Sequence, residues 1–281
     1  MKLHRSGAEI FVPDGLAPEA ALARTTHLGV GAHQDDLEIF AIHGILECFQ
    51  RSDRWFSGIV VTDGAGSPRQ GEYASYDDAQ MRAVRRREQK KAASVGEYAA
   101  QVLLDHPSRA VKEGAAEVVE DLAALVTSCA PEVIYTHNLA DAHDTHVAVT
   151  LRLLTALQRV DPSARPRRLI GCEVWRDLDW LPDELKVALP LDGHENLQAA
   201  LLGVFDSQIA GGKRYDLGAL GRRRAHATFA ESHEVDRHTG VVWAMDLTAL
   251  MHDGSRDPLG LVDEALSAFR RDVIERLRRL A

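Results

Sequence analysis

The chain has 281 residues, 45% of them hydrophobic, and a formal net charge of −9. That length supports one large α/β domain with a sizeable core, and an acidic balance argues against nucleic acid as a partner. The N-terminal "MKLHRSGAEIFVPDG" lacks a hydrophobic signal core and no run approaches the ~20 apolar residues that cross a bilayer, so a soluble cytoplasmic protein without membrane contact is expected.

Five strand-like runs alternate with helical patterns. Residues 26–33 ("THLGVGAH") read as a strand, followed by a helix over 36–50. A second strand over 55–64 precedes a helix over 77–96, and a third over 101–106 precedes a helix over 108–130. In that helix Val111, Ala115, Val118, Val119, Leu122, Leu125 and Val126 form one apolar stripe, with Ser108 as its expected N-cap. Strands over 131–138 and 167–175 flank a helix over 144–160. Such alternation implies a Rossmann-like, doubly wound and mostly parallel sheet with helices on both faces. Beyond Trp175 the chain turns loop-rich and charged, with a helix over 195–209, a Gly-, Arg- and His-dense stretch, and an amphipathic helix from Leu259. No linker interrupts it. Residues 1–281 are therefore read as a single domain, with a core at about 26–175 and a C-terminal elaboration over 176–281. Cys48, Cys129 and Cys172 are odd in number and widely spaced, as buried thiols would be in a reducing compartment.

Two polar clusters fall where strands end. "AHQDDLE" supplies His33, Asp35, Asp36 and Glu38, and "THNLADAHDTH" supplies His137, Asp141, His143 and His146. Taken singly, each has an ordinary explanation. Paired aspartates suit a helix N-terminus, and a lone His-x-x-His is common on surfaces. Jointly they are informative, because doubly wound sheets bind ligands beyond the carboxyl ends of their strands. If the first and fourth of these strands are neighbours, both clusters meet in one crevice. Two imidazoles and a carboxylate with an open position are the usual hydrolytic zinc arrangement, although another divalent transition metal suits the same donors.

These segments resemble the PIG-L/LmbE-like family of zinc-dependent N-deacetylases. "AHQDDLE" is similar to the family's "AHPDDE", as a branch with HQDD in place of HPDD, and "DAHDTH" is similar to "DxHPDH". "VVTDGAGS" and "RRREQKKAASVG" resemble the turn and the Arg-x-x-Glu helix that lie between, so the likeness spans residues 26 to about 160. The resemblance implies metal ligation by His33, Asp36 and His146, and a general base in Asp35. It implies that His143 stabilises the oxyanion or protonates the leaving amine, that Arg85 of the Arg85/Glu88 pair helps hold substrate, and that Asp141 sits beside it, orienting a neighbour such as His143. Departures are Gln34 for proline, Leu37 before Glu38, which is expected to be a solvated or helix-terminal carboxylate, and Thr145 for an aspartate.

The expected activity is removal of an N-acyl group, N-acetyl foremost, from an amino sugar or sugar conjugate such as an N-acetylglucosamine derivative. The sugar comes from the resemblance alone. The expected partner is that small N-acylated molecule, and a homo-oligomer is compatible with the sequence. The alternatives are a phosphoesterase, which would more often hold two metals, and a catalytically silent, metal-stabilised binding protein. Trp175 and Trp180 are candidates to flank a sugar ring, and Lys213, Arg214 and Arg222 to meet an anion; core or surface roles suit them equally.

Overall fold

The computed structural model describes residues 1–252 and 256–281. In chain order the first half comprises β1 (Glu9–Phe11), α1 (Pro18–Ala23), β2 (His27–Gly31), α2 (Asp36–Phe40), α3 (Ile42–Cys48) and β3 (Phe56–Thr62). It continues with α4 (Asp78–Val95), β4 (Ala100–His106), α5 (Ser108–Glu113) and α6 (Ala116–Cys129). Next come β5 (Val133–His137), α7 (Asp144–Arg159), β6 (Arg168–Cys172) and β7 (Lys186–Pro190). The remainder is α8 (Glu195–Gly203), α9 (Asp206–Ile209), α10 (Tyr215–Thr228), β8 (Val241–Asp246), α11 (Ala249–His252) and α12 (Pro258–Leu280).

The strands form one eight-stranded sheet in the order β1-β4-β3-β2-β5-β6-β8-β7. Pairings from β4 through β6 are parallel, whereas β1, β8 and β7 join antiparallel at the edges. The chain winds outward from β2 through β3 to β4, then returns to lay β5 on the other side of β2. The strand order therefore reverses between β2 and β5, and a crevice opens beyond their carboxyl ends. The two polar clusters lie there.

Alternate strand residues feed opposite cores. Leu28, Val30, Ile59, Val61 and Ile134 pack with α1, α6 and α7, while Phe56, Val60, Tyr135 and Ile170 pack with α2, α3 and α8. On that second side Leu37 of α2 fits a socket walled by glycines. A Cβ at Gly29, Gly31 or Gly58 would lie 2.8, 3.3 or 2.6 Å from a Leu37 methyl. Bare backbone at these three positions lets α2 rest directly on β2 and β3, with Asp36 above the end of β2.

Three sequence-expected helices are divided. The 36–50 segment breaks at Ala41, and 195–209 breaks around the buried Phe205. The 108–130 segment breaks at Gly114, whose φ of 79° ends α5 in the left-handed region, and Pro107 rather than Ser108 occupies its N-cap. The segment beyond Trp175 is richer than a loop: it adds β7, β8 and α10, and both strands extend the same sheet.

Gly29→Ala and Gly58→Ala are each expected to cost about 1–3 kcal/mol by overpacking against Leu37. Leu37→Ala, which empties the socket, is expected to cost about 2–5 kcal/mol. Urea denaturation checks all three as a lower midpoint at unchanged slope.

Candidate active site

The turn after β2 is clamped from α4. Asp35, the N-cap of α2, has φ 97°, a conformation unfavourable for a residue with a Cβ. Its N–H donates to Gln89 Oε1 at 3.2 Å. One helical turn earlier, Arg85 Nη2 donates to the Gln34 carbonyl at 2.6 Å and lies 3.6 Å from Asp35 Oδ2. The far end of α2 is held from the C-terminal segment, where buried Arg223 donates to the carbonyls of Glu38 and Ile39 at 2.6 and 3.1 Å. These are carbonyls that a five-residue helix leaves without internal partners.

The second limb leaves β5 and enters α7. His143 is the N-cap, and its Nδ1 accepts the Thr145 N–H at 3.2 Å, so a neutral ring carries its proton on Nε2. One turn on, the fully buried His146 turns Nδ1 to Asp141 Oδ1 at 3.4 Å. Asp141 also accepts the backbone N–H groups of His143 and Trp175 at 2.9 and 3.1 Å. This corrects the substrate-facing position expected for Asp141. The carboxylate lies behind His146 because two amides and that ring converge on it, and it is not among the residues lining the cavity.

The two limbs meet at Asp36. Its Oδ2 accepts the His33 N–H at 2.6 Å and lies 3.4 Å from His33 Nδ1, while its Oδ1 is 3.4 Å from His146 Nε2. His33 Nδ1 and His146 Nε2 are 3.2 Å apart. A third imidazole, His137, stacks on His146 at 3.8 Å between centroids and places its Nε2 3.4 Å from Asp36 Oδ2. Burial opposes the charge on Asp36, yet the imidazoles of His146 and His137 hold its carboxyl well below the usual range. Asp35 behaves oppositely. Burial pushes it well above the usual range, with Arg85 opposing and Asp36 adding to the rise. Burial and the neighbouring His146 lower His137 to about 4. His146 is also penalised by burial, but Asp36 and Asp141 raise it overall.

The donor set fits a divalent transition metal. One donor atom each from His33, Asp36 and His146 lies within 4.8 Å of the others. Two imidazole nitrogens 3.2 Å apart beside a carboxylate oxygen are a poor arrangement for three lone pairs unless a cation or proton lies between them. The Asp141 carboxylate, 3.4 Å from His146 Nδ1 though outside hydrogen-bond geometry, favours a proton on that nitrogen and leaves the Nε2 lone pair toward Asp36, the relation of an outer carboxylate to a ligating histidine. A second trio, His137, Asp141 and His146, is wholly buried and shares His146 with the first.

Beside this cluster opens a cavity of about 450 Å³ lined by His33, Asp35, Asp36, Arg85 and His143. The loop of Gly64 to Pro68, Ser108 and Lys112 form one wall, and Trp175, Gln208, Lys213 and Tyr215 form another. Lys213 Nζ stands 5.1 Å from the Trp175 ring, whose centroid is 6.2 Å from that of Tyr215. The C-terminal wall is fastened to α4 where Glu88 accepts both the N–H and the hydroxyl of Ser207 at 2.7 and 2.6 Å. Of the other sequence candidates, Trp180 packs against Phe269 and does not line the cavity, Arg214 pairs with Asp216, and Arg222 binds the Val174 carbonyl. Glu38 is not solvated: it is fully buried, accepts from Tyr98 and Gln89 at 2.7 and 2.9 Å, and is raised to about 7 by burial. Gln89, Arg223 and Tyr215 complete the site beyond the residues that sequence reasoning assigned to it, while His137, which the second cluster supplied without a role, stacks on His146.

Residues 28–157 match the PIG-L family, described as GlcNAc-PI de-N-acetylase. Among solved structures, the chain is similar to the N,N'-diacetylchitobiose deacetylase of Pyrococcus horikoshii, at 14% identity and TM-score 0.59 over 82% of this chain and 86% of that one. It is similar to a deacetylase of the teicoplanin biosynthesis pathway at 16% identity and TM-score 0.53, over 78% and 97%. A 4-carboxy-2-hydroxymuconate hydratase, GalB of Pseudomonas putida KT2440, matches at 16% identity and TM-score 0.57, over 79% and 96%. At such identities the likeness is one of fold. No curated protein matches the chain.

Asp141→Asn, which loosens His146 without touching the donor trio, is expected to weaken metal binding about 10–100-fold. Calorimetric titration of chelator-stripped protein with Zn²⁺ measures this, and unchanged affinity would contradict the role given to Asp141.

Proposed function

From a PIG-L-type segment over residues 28–157, we propose that the protein is a metal-dependent deacetylase that removes an N-acyl group, foremost N-acetyl, from an amino sugar or sugar conjugate. One observation carries the reading: the His33, Asp36 and His146 donors cluster beside a cavity lined on both limbs by a candidate base, Asp35, and a candidate donor, His143. The similar chitobiose and teicoplanin-pathway deacetylases support the substrate class. Zinc is the proposed metal, since two imidazoles, one carboxylate and an open position are its hydrolytic pattern.

An amide resists water because its carbonyl is a poor electrophile and its amine a poor leaving group. When bound, Zn²⁺ would polarise the carbonyl and bring a neighbouring water to a pKa near ~7. The chain's own residues supply the rest. Asp35, buried and held 3.6 Å from the Arg85 guanidinium, takes the proton of the attacking water as general base. The N–H of His143 Nε2 meets the charge that develops on the acyl oxygen. The proton acquired by Asp35 is then available to the departing nitrogen. Arg85 sets the carboxylate of Asp35 and the carbonyl of Gln34, and so fixes the turn while contributing to the cavity floor. Trp175 and Tyr215 offer aromatic faces suited to a sugar ring, and Lys213 an ammonium beside them.

A phosphoesterase with two metals is less well supported. The second trio is closed to solvent, and Asp141 already accepts two backbone amides. The likeness to a hydratase adds one alternative, addition of water to a carbon–carbon double bond at the same site.

Amine release from N-acetylated amino sugars, with and without chelator, tests the proposal. Activity is expected to disappear with chelator and return with Zn²⁺. Asp35→Asn is expected to keep the metal and lose about 10²–10⁴-fold in kcat. His143→Ala is expected to lose about 10²–10³-fold, also with metal retained. Full turnover by Asp35→Asn would remove Asp35 from the mechanism, and hydration of an enoate without amine release would favour the alternative.

A further inference from the structure

A chain of buried polar side chains runs beneath α2 and ends on the turn that carries Asp35. At its centre is Gln89 of α4. Gln89 Oε1 accepts the Asp35 N–H at 3.2 Å, and Nε2 donates to Glu38 Oε1 at 2.9 Å and to Gln101 Oε1 at 3.2 Å. Glu38 Oε1 accepts in turn from the Tyr98 hydroxyl at 2.7 Å, and Gln101 Nε2 donates to the Val102 carbonyl at 3.0 Å. Glu38, Gln89, Tyr98 and Gln101 are each at most 1% exposed.

The polarity of this chain is set at both ends by groups that cannot reverse. A backbone N–H only donates, and a carbonyl oxygen only accepts. The Val102 carbonyl takes the amino end of Gln101 and leaves its oxygen facing Gln89. Glu38 presents a second oxygen to the same amino group. Turning the Gln89 amide over would set its NH2 against the Asp35 N–H and its oxygen against two others. Only one orientation of Gln89 satisfies every partner, and it is the one that puts an acceptor on Asp35. Bare backbone makes room for it, since a Cβ at Gly58 would lie 2.6 Å from Gln101 Oε1.

That acceptor matters because a φ of 97° at Asp35 persists only where the surroundings over-determine it. Arg85 meets the Asp35 carboxylate and the Gln34 carbonyl, while Gln89 is the acceptor of the Asp35 N–H among the described residues. Asp36 is secured separately, by the His33 N–H and the imidazoles of His137 and His146. Two carboxylates adjacent in sequence are thus held by different groups.

We propose that Gln89 is the positioning residue for Asp35, and that Glu38 and Gln101 act through it by fixing the direction of its amide. The proposal rests on Asp35 being the general base of the reaction. Without Gln89 the base is displaced, while the metal donors and the cavity walls stay in place.

Gln89→Met keeps the length of the side chain and removes the acceptor. It is expected to lower kcat for amine release about 10–100-fold, with KM and Zn²⁺ affinity within about twofold of wild type. Solvent exchange of the Asp35 amide hydrogen, followed by NMR on protein labelled at aspartate nitrogen, is expected to speed up about 10-fold or more. The amides of the other aspartates keep their rates, as a globally loosened fold would not allow. Gln89→Glu, which sets a carboxylate oxygen against Glu38, is expected to lose kcat similarly. Adding Glu38→Gln supplies the amino group from the opposite side and is expected to recover about 10-fold in kcat. Wild-type kcat in Gln89→Met, a loss confined to KM or Zn²⁺ affinity, or an Asp35 amide that exchanges no faster overturns the proposal. So does the paired exchange without recovery. If the wild-type chain releases no amine, faster exchange at Asp35 in Gln89→Met supports the role of Gln89 and overturns only the deacetylase reading.

Discussion

A carboxylate buried among three imidazoles is the constraint on which the site depends. Asp36 is 3% exposed, and its oxygens lie within 3.4 Å of His33, His137 and His146. Removing an ionised group from water is costly unless counter-charge or hydrogen bonds replace the solvent. The fold meets that requirement by bringing segments separated by more than a hundred residues to one strand reversal. Glycines at 29, 31 and 58 let α2 lie on the sheet, and Leu37 fills the space they leave. Gln89 and Arg85 hold the start of α2, and Arg223 holds its end. The position of one carboxylate thus draws on β2, β3, α4, α7 and α10 together.

The cavity beside it is assembled differently. Its chemical floor comes from the turns after β2 and β5, within the residues that match the PIG-L family. One wall comes from beyond that match: Trp175, Gln208, Lys213 and Tyr215. Glu88 links the two parts by binding Ser207, so the helix that clamps the turn after β2 also seats the C-terminal wall of the cavity. A hydratase and two deacetylases share this architecture at comparable TM-scores, so fold alone does not choose the reaction.

Much of this was legible in the sequence, for physical reasons that can be named. Strand–helix alternation showed the sheet, and the two polar clusters pointed to the crevice because both fall at carboxyl ends of strands, where doubly wound sheets bind ligands. The spacing of His143 and His146 placed them on one helix start, but it did not reveal which way Asp141 would turn. That depended on the amides of His143 and Trp175 and on the ring of His146. Glu38 read as a solvated or helix-terminal carboxylate; it does lie in the first turn of α2, but its burial left no signal because nothing local indicated how closely α2 lies on the sheet. Gln89 and Arg223 left no local signal, since their bonds to the α2 backbone span 54 and 185 residues. The helix α10 was hidden by Gly218 and Gly221, which lower helix propensity, and is sustained by the buried Arg223, His226 and Ala227. Strand β7, "KVALP", is a short edge strand among charged residues, where alternation is too brief to stand out.

X-ray absorption spectroscopy of the chain loaded with one equivalent of Zn²⁺ tests the central claim most directly. The account predicts a single site with two imidazole nitrogens and oxygen donors at about 2.0–2.2 Å and no sulfur, with the imidazole signature reduced in His33→Ala. A sulfur shell, two metals per chain, or a spectrum indifferent to His33→Ala would contradict it.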